Sequence, residues 1–483
     1  MPREEGVTGF FRGRGFRFAL AAVLLLVAGW SVARIVTAAS RHQLPYPSRS
    51  APVPAEAVPF DHGLTQQSLF DLVKAGEVEK TLPDGSKVTL AINKELQADI
   101  FELFRRFDPP YGVLAAMEPA TGRVVALVGY RRGGESDPWL ALKAIYPAAS
   151  LIKVITASAA IERGNVSPDD EISYRGGIYG ISRRGIREEG GRGLPKMTLE
   201  EAIARSANSV FGKVAVRNVG GPVLGEYLWK FGFGQPIPFD LPVEPSRADV
   251  PREEYELART GAGFGEVYVS PLHMAMVMSS LASGGAMPRP LLVDRVEDKD
   301  GGITFESAPS KLRDTVRPET AGAVLQMMVK TVEMGTSHRT FGTPERTPLL
   351  QDMEVAGKTG SLSGWTPPVH FEWFAGVAPA SAPKLALAAL VVNDNRRKIK
   401  GSYVGKEAFN AYFGYPSTTP PSYRARGGKK HRKISKPGKK ASPGKGKAKK
   451  SRPKKRGTRL KRTKNPPGQS VDWNHGSPRT AGG

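Results

Sequence analysis

The sequence predicts an α+β fold in which a mostly helical part is inserted into a sheet. Residues 111–117 and 123–130 are two largely apolar runs around Glu118-Pro119-Ala120-Thr121-Gly122, the pattern of a hairpin covered on both faces. Far downstream, residues 356–361, 371–377 and 385–392 are three more short apolar runs of strand character. Between the two groups the apolar positions recur at helical spacing.

At its start the 483-residue chain has sixteen residues without a charge, 18–33, preceded by Arg12, Arg14 and Arg17 and followed by Arg34 and the apolar stretch 35–39. Extended over 18–39, this run approaches the ~20 residues of a membrane span, with Arg34 able to reach the headgroups. The preceding arginines favour a cytoplasmic segment 1–17 and place the rest outside. A cleaved signal peptide is the alternative, because small residues at Val36, Ala38 and Ala39 permit cutting, and a buried soluble helix is a third reading. Residues 40–81 are expected to form a linker or membrane-proximal segment, Pro/Ala/Ser-rich over 42–62 and with a short helix over 65–75.

Pro83-Asp84-Gly85 reads as a turn into a strand over 87–92, and Asn93 as the cap of a helix to 106 with Ile92, Leu96, Ile100 and Leu103/Phe104 on one face. The Gly- and Arg-rich stretch 164–195 is expected to be irregular, either framing a cleft or lying solvated. Thr260-Gly261-Ala262-Gly263-Phe264-Gly265 looks like a dinucleotide loop but has no βαβ unit around it, so a turn is expected. Ser270 caps a helix with Pro271 at its first position, and residues 319–334 form another amphipathic helix burying Val324, Met327, Met328 and Val332. There is no cysteine, which excludes disulfides, thiol catalysis and cysteine-bound zinc. The histidines, at 42, 62, 273, 338, 370, 431 and 475, show no ligand spacing, so no metal or cofactor is expected.

The chemistry centres on Pro147-Ala148-Ala149-Ser150-Leu151-Ile152-Lys153, at the start of an apolar helix. Residues three apart share a helix face, so the Lys153 amine can reach the Ser150 hydroxyl. A serine attacks well only when a base takes its proton, and a lysine is a base only when neutral. Its ordinary pKa of about 10.4 must therefore fall, which burial against Leu151, Ile152 and Val154 and a second cation nearby would bring about. First-turn N–H groups are available for an oxyanion. By itself the pattern is weak, since S-x-x-K also occurs at Ser381/Lys384, Ser442/Lys445 and Ser451/Lys454 in Pro- or Lys-rich stretches.

Two further motifs, each occurring once, give it context: Ser206-Ala207-Asn208 after an amphipathic run, and Lys358-Thr359-Gly360-Ser361 before the strand-like 371–377. S-x-x-K, S-x-N and K-T-G in this order are marks of penicillin-binding proteins and serine β-lactamases. From about residue 88 to 414 the chain resembles the transpeptidase domain of penicillin-binding proteins. Val88-Thr89-Leu90-Ala91-Ile92-Asn93, Glu118-Pro119-Ala120-Thr121-Gly122-Arg123, Ser270-Pro271-Leu272 and Gly335-Thr336 are similar to further landmarks of that family.

The resemblance implies a five-stranded antiparallel sheet flanked by helices, with a domain over 82–415 that stands alone, since too little chain precedes it for a glycosyltransferase domain. It implies that Ser150 acylates itself on the penultimate D-Ala of a peptidoglycan stem peptide and that Lys153 is the base. Ser206 and Lys358 would serve the leaving amine, and Asn208 would bind the peptide backbone. Thr359 and Ser361 would hold the donor's carboxylate side, Gly360 would leave room for substrate, and the N–H groups of Ser150 and Ser361 would form the oxyanion hole. β-Lactams would acylate the same serine. The alternatives are a D,D-carboxypeptidase or β-lactamase, against which stands the absence of an E-x-x-L-N element, and a non-catalytic penicillin-binding sensor or scaffold.

From residue 415 the composition changes. Residues 424–464 hold 21 Lys or Arg and no acid, nearly all of the chain's net charge of +24. A tail over 416–483 of this composition is expected to be disordered. With the domain outside the cytoplasmic membrane, anionic envelope polymers or lipid headgroups are its expected partners rather than nucleic acid, or it is simply solvated.

Overall fold

The computed structural model describes residues 64–188, 191, 193–364, 368–394 and 397–420. The expected anchor over 18–39 and the basic run 424–464 lie outside the described residues.

The central sheet runs in the order Ala356–Gly364, Val369–Ala378, Leu385–Asn393, Tyr111–Met117, Val124–Arg131 and Glu135–Ser136, each strand antiparallel to its neighbours. Five strands were expected and six are present among the described residues. The sixth is a two-residue return, possible because Gly133 and Gly134 take φ of 97° and 93° and let Ser136 pair with Tyr130.

Strand periodicity explains why both faces are apolar. Leu385, Leu387, Ala389 and Val391 face one core with Leu114 and Ala116, whereas Ala386, Ala388, Leu390 and Val392 face the other with Val113, Ala115 and Met117. The first core is closed by the helices Lys94–Phe107 and Gly401–Phe413, which bring Leu96, Ile100, Phe104, Val404 and Phe409. The second holds the helical insertion, including Ile152–Arg163, Pro271–Ala282 and Pro318–Glu333.

The caps read from the sequence form locally. Asn93 Oδ1 accepts from Leu96 N at 2.8 Å and Ser270 Oγ from His273 N at 3.1 Å. In the segment expected to be membrane-proximal, the helix Gln66–Ala75 buries Leu69, Phe70, Leu72 and Val73 in the second core, with Phe70 stacked on Trp139 at 4.5 Å. At the other end Ser417 Oγ and Thr418 N donate to the buried Glu407 at 2.6 and 3.0 Å.

The stretch 164–195 is more regular than expected. Glu171–Ser173 pairs with Lys196–Thr198, and Ser182 caps a short helix over Arg183–Arg187. Its arginines are not simply solvated, since Arg183 pairs with Glu253, Arg187 with Glu254 and Arg175 with Glu188. These partners come from elements or turns that periodicity along the stretch does not reveal.

Candidate active site

Ser150 lies in a tight turn, Ala149–Leu151, and the α-helix proper starts at Ile152. This corrects the expectation that the serine opens the helix. Ala149 takes φ of 49°, an unfavourable conformation for a residue with a Cβ, and is held there by packing. Gly263, ending the helix Glu254–Ala262 with φ of 97°, abuts this turn so closely that a Cβ there would lie 2.3 Å from Ala149 O and 2.7 Å from Ser150 N. The glycine run expected to form only a turn therefore shapes the nucleophile.

Lys153 is fully buried, and its Nζ is 2.7 Å from Ser150 Oγ, 2.8 Å from Asn208 Oδ1 and 2.6 Å from Ala262 O. Asn208 Nδ2 donates to Tyr179 O at 3.0 Å, which fixes the amide's orientation and turns Oδ1 toward the lysine. Both carbonyl oxygens can only accept. In its neutral form the amine has two N–H groups and one lone pair, so giving the N–H groups to Asn208 and Ala262 leaves the lone pair for the Ser150 hydroxyl. Burial, and then the charge of Lys358, push the Lys153 pKa well below its ordinary value. Thr156 Oγ1 secures the arrangement by donating to Gly261 O at 2.9 Å, one peptide before Ala262.

The second pair comes from opposite parts of the chain. Lys358 Nζ, on the edge strand Ala356–Gly364, donates to Ser206 Oγ at 2.9 Å and to Thr359 O at 2.8 Å. Ser206 terminates the helix Leu199–Arg205 in the left-handed conformation, φ 54°, which turns the chain so that Asn208 starts the next helix. Burial lowers the Lys358 pKa from 10.5 to about 7.

That shift has a sign that can be tested by unfolding. Between pH 7 and 10.5 the unfolded chain keeps a proton on Lys358 that the folded chain has released, so this group's contribution to stability rises with pH across that window. The slope is at most about 1.4 kcal/mol per pH unit for one group. Denaturant melts at several pH values should show wild type gaining on Lys358→Met as pH rises, and parallel curves would mean that folded Lys358 keeps its proton.

Thr359 Oγ1 is 2.6 Å from Thr336 Oγ1, and Ser361 Oγ donates to Glu372 Oε2 at 2.9 Å. Gly360 differs from the expectation that its missing side chain makes room for substrate. A Cβ there would meet Trp373 Cβ at 3.2 Å and Ala149 Cβ and Leu151 Cγ at 3.4 Å, so the glycine lets the strand lie against the nucleophile's turn.

The structure thus gathers all eight residues singled out from the sequence: Ser150, Lys153, Ser206, Asn208, Lys358, Thr359, Gly360 and Ser361. Sequence reasoning missed Ala262, whose contribution is a backbone carbonyl, Gly263, and the loop that carries Tyr179. It also missed Lys213, a buried amine donating to Ser173 O at 3.0 Å and to Glu188 O at 2.7 Å, which ties that loop over the Asn208 helix. The regular return of glycine after a helix was the one available signal for Gly263.

Comparisons with known proteins show which family the chain is similar to. A family model described as the penicillin binding protein transpeptidase domain matches residues 112–413. The peptidoglycan D,D-transpeptidase PbpA of Mycobacterium tuberculosis is 27% identical over 346 residues, covering 64% of this chain and 68% of that protein. Penicillin-binding protein 3 of Bacillus subtilis is 26% identical over 323 residues, 60% of this chain and 44% of that one. The solved structure of the penicillin G acyl-enzyme complex of penicillin-binding protein A from M. tuberculosis aligns with a TM-score of 0.54 at 26% identity, covering 68% of this chain and 80% of that one.

Proposed function

Because the chain belongs to the family of penicillin-binding protein transpeptidase domains, we propose that it is a peptidoglycan D,D-transpeptidase working through an ester on Ser150. The observation that carries this is the fully buried Lys153 amine, within hydrogen-bond distance of the Ser150 hydroxyl and of two acceptor-only carbonyls. Ser150 Oγ attacks the carbonyl of the penultimate D-Ala while Lys153 takes its proton. The tetrahedral oxyanion is met by the N–H groups of Ser150 and Ser361. The C–N bond to the terminal D-Ala breaks, and its nitrogen takes the Ser206 hydroxyl proton, which Lys358 replaces through their 2.9 Å contact. The amine of a second stem peptide then attacks the ester and gives up its proton through Ser206 to Lys358, while Lys153 returns its proton to Ser150 Oγ, which leaves as the hydroxyl as the cross-link forms.

Asn208 orients Lys153 and binds the donor backbone, while Thr359 and Ser361 hold the donor's carboxylate side. β-Lactams acylate Ser150 by the same attack on the ring amide. We place the domain over 82–415 on the outer side of the bacterial cytoplasmic membrane, anchored through 18–39 and working with a separate glycan polymerase. The basic tail over 416–483 engages anionic envelope polymers.

Intact mass of the full chain after incubation with benzylpenicillin tests this directly. A stable one-to-one adduct, absent in Ser150→Ala, is expected. Rapid turnover of the drug would make the protein a β-lactamase, and no adduct would leave a scaffold.

A further inference from the structure

The strand that carries Lys358, Thr359, Gly360 and Ser361 is the outer edge of the central sheet, so a peptide can lie along it as an added strand. The proposed chemistry sets the direction of that peptide. The donor's terminal carboxylate sits at Thr359, beside Thr336, and the scissile carbonyl one residue back faces Ser361. Extended peptide and strand advance alike, about 3.3–3.4 Å per residue. The third residue from the donor's C-terminus therefore falls beside Ser363, near the end of the strand at Gly364.

A charged cluster is built at that place. Ser361 lies opposite Glu372 and Ser363 opposite His370 on the neighbouring strand. Glu372 is only 4% exposed. Its Oε2 accepts from Ser361, whereas the buried Oε1 has no hydrogen-bond donor among the described residues and faces Arg397 Nη1 across 3.3 Å. Arg397 Nη2 lies 3.2 Å from His370 Nδ1, which is also 2.6 Å from Ser363 Oγ. A guanidinium only donates, so Nδ1 is the acceptor and the ring is neutral.

Arg397 itself remains 41% exposed. Because Nη1 faces Oε1 without hydrogen-bond geometry, its N–H groups remain able to donate to a ligand while Nη2 stays on His370 Nδ1. Its planar fork suits a carboxylate.

We infer that Arg397, braced by Glu372 and His370, binds a carboxylate on the side chain of the donor's third residue, so that a stem peptide ending in carboxylate at that side chain is preferred to one ending in an amine alone. The inference rests on the transpeptidase function proposed above.

The test uses the full chain and three synthetic pentapeptides ending in D-Ala-D-Ala, with meso-diaminopimelate, its amide or L-lysine as third residue. D-Ala release is followed with a fixed acceptor amine. Wild type should favour the diaminopimelate donor by about tenfold in kcat/KM, mostly through KM, over both the amide and the lysine donors. Arg397→Gln should abolish the preference and Arg397→Lys keep part of it.

Equal kcat/KM for all three donors in wild type overturns the inference, and so does a preference that survives Arg397→Gln. Either result leaves the transpeptidase function standing. Release of D-Ala from none of the peptides, by protein that still forms the penicillin ester, overturns that function and the inference with it.

Discussion

Lys153→Met is expected to slow acylation of Ser150 by about 10²–10⁴-fold, the usual contribution of a positioned base, while the protein still folds. Methionine fills a similar volume without a basic nitrogen, so the Ser150 hydroxyl loses the amine 2.7 Å away that is proposed to take its proton. Two opposing effects decide stability. Asn208 Oδ1 and Ala262 O each lose a donor, at about 1–3 kcal/mol for a buried group left unpaired. Against this, an amine whose pKa is pushed down mainly by burial no longer has to be desolvated. The melting temperature should therefore move far less than the rate. Time-resolved intact mass with benzylpenicillin, alongside a thermal melt, separates the two. Wild-type labelling in the variant would move the base role to Ser206 and Lys358. In wild type the acylation rate should fall as pH drops through the Lys153 pKa, because protonation consumes the lone pair.

Gly263→Ala should be nearly as damaging, although Gly263 carries no reactive group. An alanine Cβ would lie 2.3 Å from Ala149 O and 2.4 Å from Ala149 C, closer than such atoms come. It would also have to adopt φ of 97°, disfavoured for any L side chain. Either the Ala149–Ser150 peptide moves or the helix Glu254–Ala262 does, and that helix supplies the carbonyl that holds Lys153. A misplacement of about 1 Å in such a site is enough for a loss of about 10²-fold. Gly301→Ala is the control. It has φ of 85° but nothing within 4 Å of its Cβ, so it should cost some stability and leave acylation unchanged. If Gly263→Ala acylates at the wild-type rate, the close approach is not what positions the serine.

Much of this was legible without the structure. The apolar run in 385–392, the caps at Asn93 and Ser270, and the Ser150/Lys153 spacing are consequences of chain stereochemistry within a few residues. The same locality explains what was not legible. Ser381/Lys384 has the same three-residue spacing as Ser150/Lys153, yet it lies in the turn between the strands Val369–Ala378 and Leu385–Asn393, where no second motif reaches it. The irregularity expected of 164–195 gave way to two short elements because their pairing partners lie outside any local window.

The sequence by itself determined which residue types could do the chemistry, the order of the three motifs, and the α+β class of the fold. Only the tertiary structure brought Lys153 into the buried setting that lowers its pKa. Its partners Asn208 and Ala262 are 55 and 109 residues away, and Lys358 meets Ser206 across 152 residues. Protonation depends on desolvation and on the lone pairs available in three dimensions, and both arise only when distant elements pack together. The part played by Gly263 and the placing of Gly360 against the nucleophile's turn are likewise matters of packing, which the identity of a glycine does not reveal.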